Sequence, residues 1–444
     1  MDEKCTLIIG TGKTCQSCID YFHKNNIRFK IFDTRDVTCI DKSIIAISNK
    51  HDMRFVKYEK EFLNNVEEAI ISPGLDSNQE IIKDLNQRSI PIITDIDLFK
   101  RLSRRKIISV TGTNGKTTIV TMLEYLLNRL GIKAKACGNN GISPFLTLDE
   151  EFNYIILELS SYQLEYMTNL NSNISLISNI QDDHLERHNN FDNYLNTKKK
   201  IFNSTKINIC HNNLIEYMKD IPNIRKYGFE NTNTSNSYKI YINNSHVRDL
   251  RMDKTKLYYE DTSFDYRGIH NLDNILAVLS ITKNIYDKND FFKKSINILK
   301  KFNHLPHRIQ LVKKINDVSY FNDSKSTNVF STITALKYLK KNIILIMGGS
   351  KKNLDYTKLN IYIDNHVKLL ILFGENKKSI NKQIVSKAPR IICNTINESV
   401  QISYNNAIAN DIVLLSPGSP SFDMFESFKE RGIAFMDAVN DLDQ

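Results

Sequence analysis

Ile107-Ile-Ser-Val-Thr-Gly-Thr-Asn-Gly-Lys-Thr-Thr118 reads as a buried strand, a glycine turn and the start of a helix. The apolar face of that helix continues through Ile119, Leu123, Leu126, Leu127 and Leu130 and stops at Gly131. Small residues let successive N–H groups turn inward around a phosphate, and the helix N-terminus adds its partial positive charge. Lys116 then meets the terminal phosphates, and the Thr117 hydroxyl is a magnesium ligand. The strict G-x-x-x-x-G-K-[ST] pattern fails because Val110 holds its first glycine position, which leaves the shorter G-x-x-G-K-T form from Gly112. With a strand before it and a helix after it, the motif predicts ATP binding rather than a plain turn. The expected contacts are Gly112, Thr113, Asn114, Gly115, Lys116, Thr117 and Thr118.

A phosphate loop that works with magnesium needs an acid at the end of a neighbouring strand. Tyr154-Ile-Ile-Leu-Glu158 supplies one, so Glu158 is read as a metal ligand. The next strand ends in Asn179-Ile-Gln-Asp-Asp-His184, followed by Lys198-Lys-Lys200. Taken alone, His184 reads as a structural histidine and the three lysines as a solvated basic face.

Outward from this centre, strand and helix alternate. Apolar runs at Thr6–Ile9, Phe29–Phe32, Ile44–Ile47 and Ala69–Ile71 predict one α/β unit, and Ile107–Val110, Tyr154–Leu159 and Ile174–Ile180 a second. Val318–Phe321, Ile343–Met347, Leu369–Phe373, Arg390–Cys393 and Ile412–Leu415 predict a third. Three α/β domains fit 444 residues at roughly 150 per domain, and linkers near 94 and 304 divide the chain into 1–94, 95–304 and 305–444. Between about 229 and 266 the chain turns polar, and a small antiparallel hairpin region with a disordered tip at Asn231-Thr-Asn-Thr-Ser-Asn-Ser237 is expected.

With 60 Lys plus Arg against 50 Asp plus Glu, the net charge of +10 favours anionic partners, although Lys among many Ile and Asn equally reflects codon bias. No run approaches the roughly 18 apolar residues of a membrane span, and the N-terminus lacks a basic segment followed by a long apolar core. A cytoplasmic protein without a membrane span is expected. Seven cysteines, with only Cys15 and Cys18 at C-x-x-C spacing, predict free thiols.

Gly112-Thr-Asn-Gly-Lys-Thr-Thr118, Glu158-Leu-Ser-Ser-Tyr-Gln163, Asp183-His-Leu-Glu-Arg-His188 and Tyr194-x-x-x-Lys198 together resemble the Mur ligases, ATP-dependent enzymes that extend the peptide of the cell-wall precursor. Gly268-x-His-Asn271, His307-Arg308, Asn322-Asp-Ser-Lys-Ser-Thr-Asn328, Gly348-Gly349 and Ser421-Phe-Asp-Met-Phe425 extend the likeness nearly end to end. Ser72-Pro-Gly74 and the closing Phe-x-x-Phe-x-x-Arg-Gly pattern are similar to the branch that adds D-glutamate. Folylpolyglutamate synthase shares the phosphate loop but lacks this first domain. A nucleic-acid motor would need aromatic-interleaved basic patches or a strand-end Asp-Glu pair, and neither is present.

The resemblance implies Rossmann-like first and last domains around a central P-loop domain with a mainly parallel sheet. It implies that ATP activates a carboxylate as an acyl phosphate, with UDP-N-acetylmuramoyl-L-alanine and D-glutamate as substrates. No nucleic acid is expected as a partner, and the protein is expected to be a monomer. Two magnesium ions are implied, one held by Thr117 and Glu158 and the other by His184 and Lys198, the lysine carbamylated. Lys116, His184 and Lys198 carry the catalysis. Lys198 rather than Lys199 or Lys200 follows from the spacing to Tyr194. Asn271, Arg308 and Asp323 match nucleotide contacts. Thr327, Lys352, Ser421, Phe422 and Phe428 match the glutamate pocket, where Gly418 and Pro420 depart from the small residues relatives carry. The first domain carries Gly10-Thr-Gly-Lys-Thr-Cys15 and, about 20 residues on, Asp33, a weak dinucleotide signal because Cys15 takes the third glycine position. The resemblance instead assigns Thr14, Asp33, Thr34, Arg35, Ser72 and Gly74 to the uridine diphosphate, and Asn139 to the muramoyl-peptide end.

Overall fold

A computed structural model of the chain describes residues 4–443 apart from 77, 168–169, 232–237, 247–249, 254–255, 260, 266–267, 341 and 352–353. These residues form two compact units, one of residues up to 264 with 273–300, the other of 265–272 with the residues from 301 onward.

The first unit begins with a five-stranded parallel sheet of β1 (Cys5–Ile9), β2 (Phe29–Asp33), β3 (Asp52–Phe55), β4 (Val66–Ile71) and β5 (Ile92–Ile93), in the order β3-β2-β1-β4-β5. The middle strand β1 is buried along its whole length, as a strand covered on both faces must be. The expected strand at Ile44–Ile47 is not one. Asp41 caps a short helix, Lys42–Ile45, by accepting from Ser43 N, and β3 follows only at Asp52–Phe55. Four apolar residues are too few for periodicity to separate strand from helix, and the Asp cap decides it.

The second sheet holds β6 (Lys106–Thr111), β7 (Ala134–Gly138), β8 (Tyr154–Glu158), β9 (Ile174–Ile177), β10 (Ile207–His211), β11 (Ile224–Asn231), β12 (Tyr238–Ile242) and β13 (Ser245–His246), in the order β13-β12-β11-β10-β9-β6-β8-β7. It is parallel from β7 to β11, and β12 and β13 add antiparallel at the edge. The hairpin region therefore extends the central sheet. Three further strands, β14 (Leu250–Asp253), β15 (Lys256–Tyr259) and β16 (Thr262–Asp265), form a separate small sheet. The tip at 232–237 lies outside the described residues. β6 lies between β8 and β9, so the chain leaves it in both directions and the loop at its carboxyl end occupies the switch point where open α/β sheets bind ligands.

The second unit is built on β17 (Gln310–Ile315), β18 (Val318–Asn322), β19 (Ile343–Gly348), β20 (Val367–Phe373), β21 (Arg390–Ile392) and β22 (Ile412–Leu415), in the order β17-β18-β22-β19-β20-β21. All neighbours are parallel except β17 and β18, which are joined by Asn316 and Asp317 at φ 48° and 61°. Two consecutive left-handed residues make the tight turn that matches the twist of a hairpin. Apolar clusters cover both faces of this sheet. Among the described residues no helix is long and apolar enough to cross a membrane, and all seven cysteines are free thiols.

Candidate active site

The loop between β6 and the helix Lys116–Arg129 is held open by its neighbours on both sides. Gly115 has φ 83°, and a Cβ there would lie 2.5 Å from Asn274 Oδ1. Gly112 packs so closely on the chain after β9 that a Cβ would lie 2.1 Å from Ser178 Oγ. That post-β9 segment braces the loop. Thr113 N donates to Asn179 O at 2.9 Å, Asn114 N to Asn179 Oδ1 at 2.9 Å, and Gln181 N to Thr113 Oγ1 at 3.0 Å. Lys116 folds back over the loop, its Nζ donating to Gly112 O at 2.8 Å and Thr113 O at 2.9 Å.

Glu158 closes β8 beside the loop. Its Oε1 accepts from Asn139 Nδ2 at 3.0 Å, while Oε2 is buried with no partner among the described residues. A buried carboxylate oxygen left open is costly unless something completes it, and a hard cation is the partner such an oxygen suits.

Lys198, on the helix Phe191–Lys199, is 1% exposed and donates to Gly112 O at 3.0 Å and Thr111 Oγ1 at 3.3 Å. Burial first, and then the positive charge of Lys116, push its amine well below the ordinary lysine range, against an opposing pull from Asp183. Burial thus favours the neutral, nucleophilic form of this amine over the ammonium. Lys199 turns away to Tyr217 O and Asp220, and Lys200 to Glu165 O. His184, left-handed at φ 55°, has its Nδ1 3.0 Å from the Tyr162 hydroxyl. Burial pushes the Tyr162 hydroxyl up to about 12, so it stays protonated. Among the described residues no group of three or more His, Cys, Asp or Glu side chains is arranged to hold a metal ion.

In the five-stranded sheet, Asp33 ends β2 with Thr34 and Arg35 directly after it, and Ser72 and Gly74 follow the carboxyl end of β4. Thr14 lies on the helix Lys13–Lys24. The Asp33 carboxylate is buried and accepts from Thr11 N and Oγ1 at 2.7 Å and from Arg35 N, Nε and Nη2 at 2.8–3.0 Å. Burial would raise its pKa, but the donors from Arg35 and Thr11 outweigh that and hold it at about 2.

The remaining predicted residues fall in the second unit. Asn271 and Arg308 are partly buried. Both Asp323 oxygens are engaged within the protein, Oδ2 by Ser326 and Ser416 hydroxyls at 2.5 and 2.8 Å and Oδ1 by Ile309 N at 3.2 Å, and burial raises the group to about 6. Ser421 is buried and Phe422 is 76% exposed. Thr327 is partly buried, and Phe428 opens the helix Phe428–Asn440 with Lys325 Nζ 3.8 Å from its ring. Lys352 lies outside the described residues.

Sequence reasoning missed several supports. Arg431, fully buried, donates to Ser324 O, Ser324 Oγ and Pro420 O at 2.9–3.0 Å and to Gly348 O at 3.4 Å, and so ties together the chain at the carboxyl ends of β18, β19 and β22. It was visible only as part of the closing Arg-Gly pattern. Asn179 and Gln181 were visible as polar residues directly after a strand, but nothing in their order showed that they brace the phosphate loop.

A phosphate loop at a sheet's switch point, with an open buried carboxylate beside it and α/β sheets before and after it, defines a nucleotide-binding protein of several domains. Family models match in the same order: the N-terminal domain of MurD-like Mur ligases at residues 4–94, the Mur ligase middle domain at 110–282, and the Mur ligase glutamate ligase domain at 307–418. The chain belongs to the Mur ligase family. It is 35% identical over 437 residues to a UDP-N-acetylmuramoylalanine–D-glutamate ligase of Buchnera aphidicola, covering 98% of this chain and 97% of that one. A ligase of the same name from Francisella tularensis subsp. novicida is 33% identical, over 100% of this chain and 98% of its own. The fold is similar to a pseudomurein peptide ligase type C from Methanothermus fervidus, with a TM-score of 0.61 at 16% identity over 99% of this chain and 100% of that one.

Proposed function

We propose that this chain joins D-glutamate to the carboxylate of UDP-N-acetylmuramoyl-L-alanine at the expense of ATP, in the making of the peptidoglycan precursor. The observation that carries the reading is end-to-end identity of 31–35% with ligases of that name. The phosphate loop supports it independently.

The substrate carboxylate attacks the γ-phosphorus of ATP, giving an acyl phosphate and ADP. The amine of glutamate then adds to the acyl carbon, and the tetrahedral intermediate loses phosphate and a proton to leave the amide. Crowded negative charge is the obstacle, so positioning and electrostatics do most of the work. Lys116, resting on its own loop, swings to the terminal phosphates. The loop N–H groups and the helix N-terminus take the remaining charge.

Thr117 and the open Oε2 of Glu158 suit one magnesium ion, and His184 with a carbamylated Lys198 suits a second. Bound magnesium supplies neutralisation of the transferring phosphoryl group. A neutral amine is the form that adds carbon dioxide, releasing a proton and leaving an anionic carbamate, and burial shifts Lys198 toward that form. Tyr162 orients the His184 ring through Nδ1.

In the first domain, Thr14, Asp33, Thr34, Arg35, Ser72 and Gly74 take the uridine diphosphate, with Arg35 supplying charge, and Asn139 the muramoyl-peptide end. Asn271, Arg308 and Asp323 contact ATP, and Thr327, Lys352, Ser421, Phe422 and Phe428 the incoming glutamate. The reaction is assigned to the cytoplasm, with the chain acting as a monomer.

The test is phosphate release from ATP and magnesium with UDP-N-acetylmuramoyl-L-alanine, comparing D-glutamate, L-glutamate, no amino acid and a folate acceptor. Release is expected only when both the uridine substrate and D-glutamate are present. Release that ignores both would overturn the reading.

A further inference from the structure

Arg187 stands three residues after His184, on the short helix Leu185–His188. Its guanidinium grips both carboxylate oxygens of Glu165, Nε at 3.0 Å and Nη2 at 3.3 Å. The same Nη2 donates to Leu75 O at 2.6 Å and lies 3.2 Å from the Tyr166 hydroxyl, which itself donates to Leu75 O at 3.4 Å. Leu75 N in turn donates to Ser72 O at 3.0 Å, so the gripped carbonyl belongs to the Ser72-Pro-Gly-Leu75 turn after β4. On its other side the guanidinium lies 5.7 Å from the centre of the Tyr162 ring, and the Tyr162 hydroxyl meets His184 Nδ1. The next residue, His188, stacks on Tyr162 and meets Ser161 Oγ at 3.0 Å.

One side chain thus touches a turn of the first sheet, the helix Ser161–Tyr166 and, through Tyr162, the catalytic histidine. The Arg187 side chain is 14% exposed, and a half-buried, bidentate, charge-assisted contact is stiffer than a surface ion pair. A lysine has the charge but not the planar fork that reaches Glu165 and a carbonyl at once.

We propose that Arg187 is a positioning residue, tying the Ser72–Leu75 turn to the segment that carries His184, so that filling the uridine diphosphate site sets the placement of that histidine. This inference rests on the function proposed above. A merely structural tether would change stability and leave substrate binding and turnover alone.

The test uses the full chain and the variants Arg187→Ala, Arg187→Lys, Glu165→Gln and Tyr166→Phe. Calorimetric binding of UDP-N-acetylmuramoyl-L-alanine without ATP or magnesium gives a readout independent of turnover. Arg187→Ala is expected to weaken that binding about tenfold, the worth of one charge-assisted hydrogen bond. It should also lower kcat while the KM for ATP stays within about twofold. Arg187→Lys should recover little of either effect, Glu165→Gln should fall between, and Tyr166→Phe should stay near wild type. If Arg187→Ala does not fold, Arg187→Lys and Glu165→Gln carry the comparison. Variants that bind and turn over like the wild type, whatever their melting temperature, overturn the tie alone. A wild type that binds no uridine substrate overturns the proposed function and the tie together.

Discussion

Lys198 carries an amine into a buried place where, among the described residues, it makes no ion pair. Its two hydrogen bonds go to neutral oxygens, and the ammonium of Lys116 works against protonation. Lys199 and Lys200 sit one and two steps further round, where each finds a partner away from the loop. Sequence offered three adjacent lysines and a spacing from Tyr194. Neighbours on a helix differ by roughly 100° in direction, so burial singles out one of them where residue type could not. Lys198→Ala is expected to lose ligation on the order of a thousandfold, the scale seen when a preorganised charge-stabilising group is removed, with its melting temperature nearly unchanged. Partial rescue by added acetate or formate would mark the missing group as a carboxylate-like ligand. Lys199→Ala and Lys200→Ala should stay within about threefold of wild type. Phosphate-release kinetics on the three variants decides it, and a larger loss in either neighbour overturns the assignment.

At the scale of elements, the strand, glycine turn and helix around residues 107–130 were legible because three local signals agree there. What braces the turn was not, since Ser178 to Gln181 come into contact with it only through the order of β6 and β9 in the sheet. Ile44–Ile47 shows the reverse failure, an apolar run whose conformation is set by the Asp41 cap beside it. β17 was missed because it is an edge strand with one buried residue, broken in register between Leu311 and Lys313, and lacks an apolar run. Gly115 is intolerant for a separate reason, the close approach of the Asn274 side chain. Gly115→Ala would place a side chain at φ 83°, a strain of roughly 1–2 kcal/mol, and its Cβ 2.5 Å from Asn274 Oδ1. Nucleotide affinity, measured with a fluorescent ATP analogue, is expected to fall at least about tenfold. Affinity for the uridine substrate should hold, because the turns proposed for its uridine diphosphate belong to another sheet. Equal losses for both ligands would mean that the substitution unfolds the unit rather than closing the loop.

Across the whole molecule, alternation of strand and helix was enough to predict three α/β sheets, while the electrostatic balance of the fold was not visible at all. Asp33 and Asp95 look alike as letters, yet their environments act in opposite senses. Asp33 is held at about 2 by Arg35 and Thr11, so it adds stability above about pH 4 that is lost as pH falls toward 2. Asp95 opens the helix Asp95–Leu102, is buried, and has Oδ1 with no partner among the described residues. Burial raises it to about 7, with Asp97 adding to the rise and the Ile96 backbone donor opposing it. For this group the sign reverses. Below about pH 4 both folded and unfolded forms are protonated and there is no penalty. Between about 4 and 7 the unfolded chain ionises while the folded one does not, so stability falls as pH rises, and above 7 the penalty is complete. About three pKa units correspond to an upper bound of roughly 4 kcal/mol. Asp95→Asn keeps the shape and never ionises. In urea denaturation at pH 8 it is expected to be more stable than wild type by about 2 kcal/mol, half that bound allowing for relaxation around the group, with the gap closing at pH 4. An asparagine variant less stable at pH 8 would show that the ionised carboxylate has a partner in the folded protein.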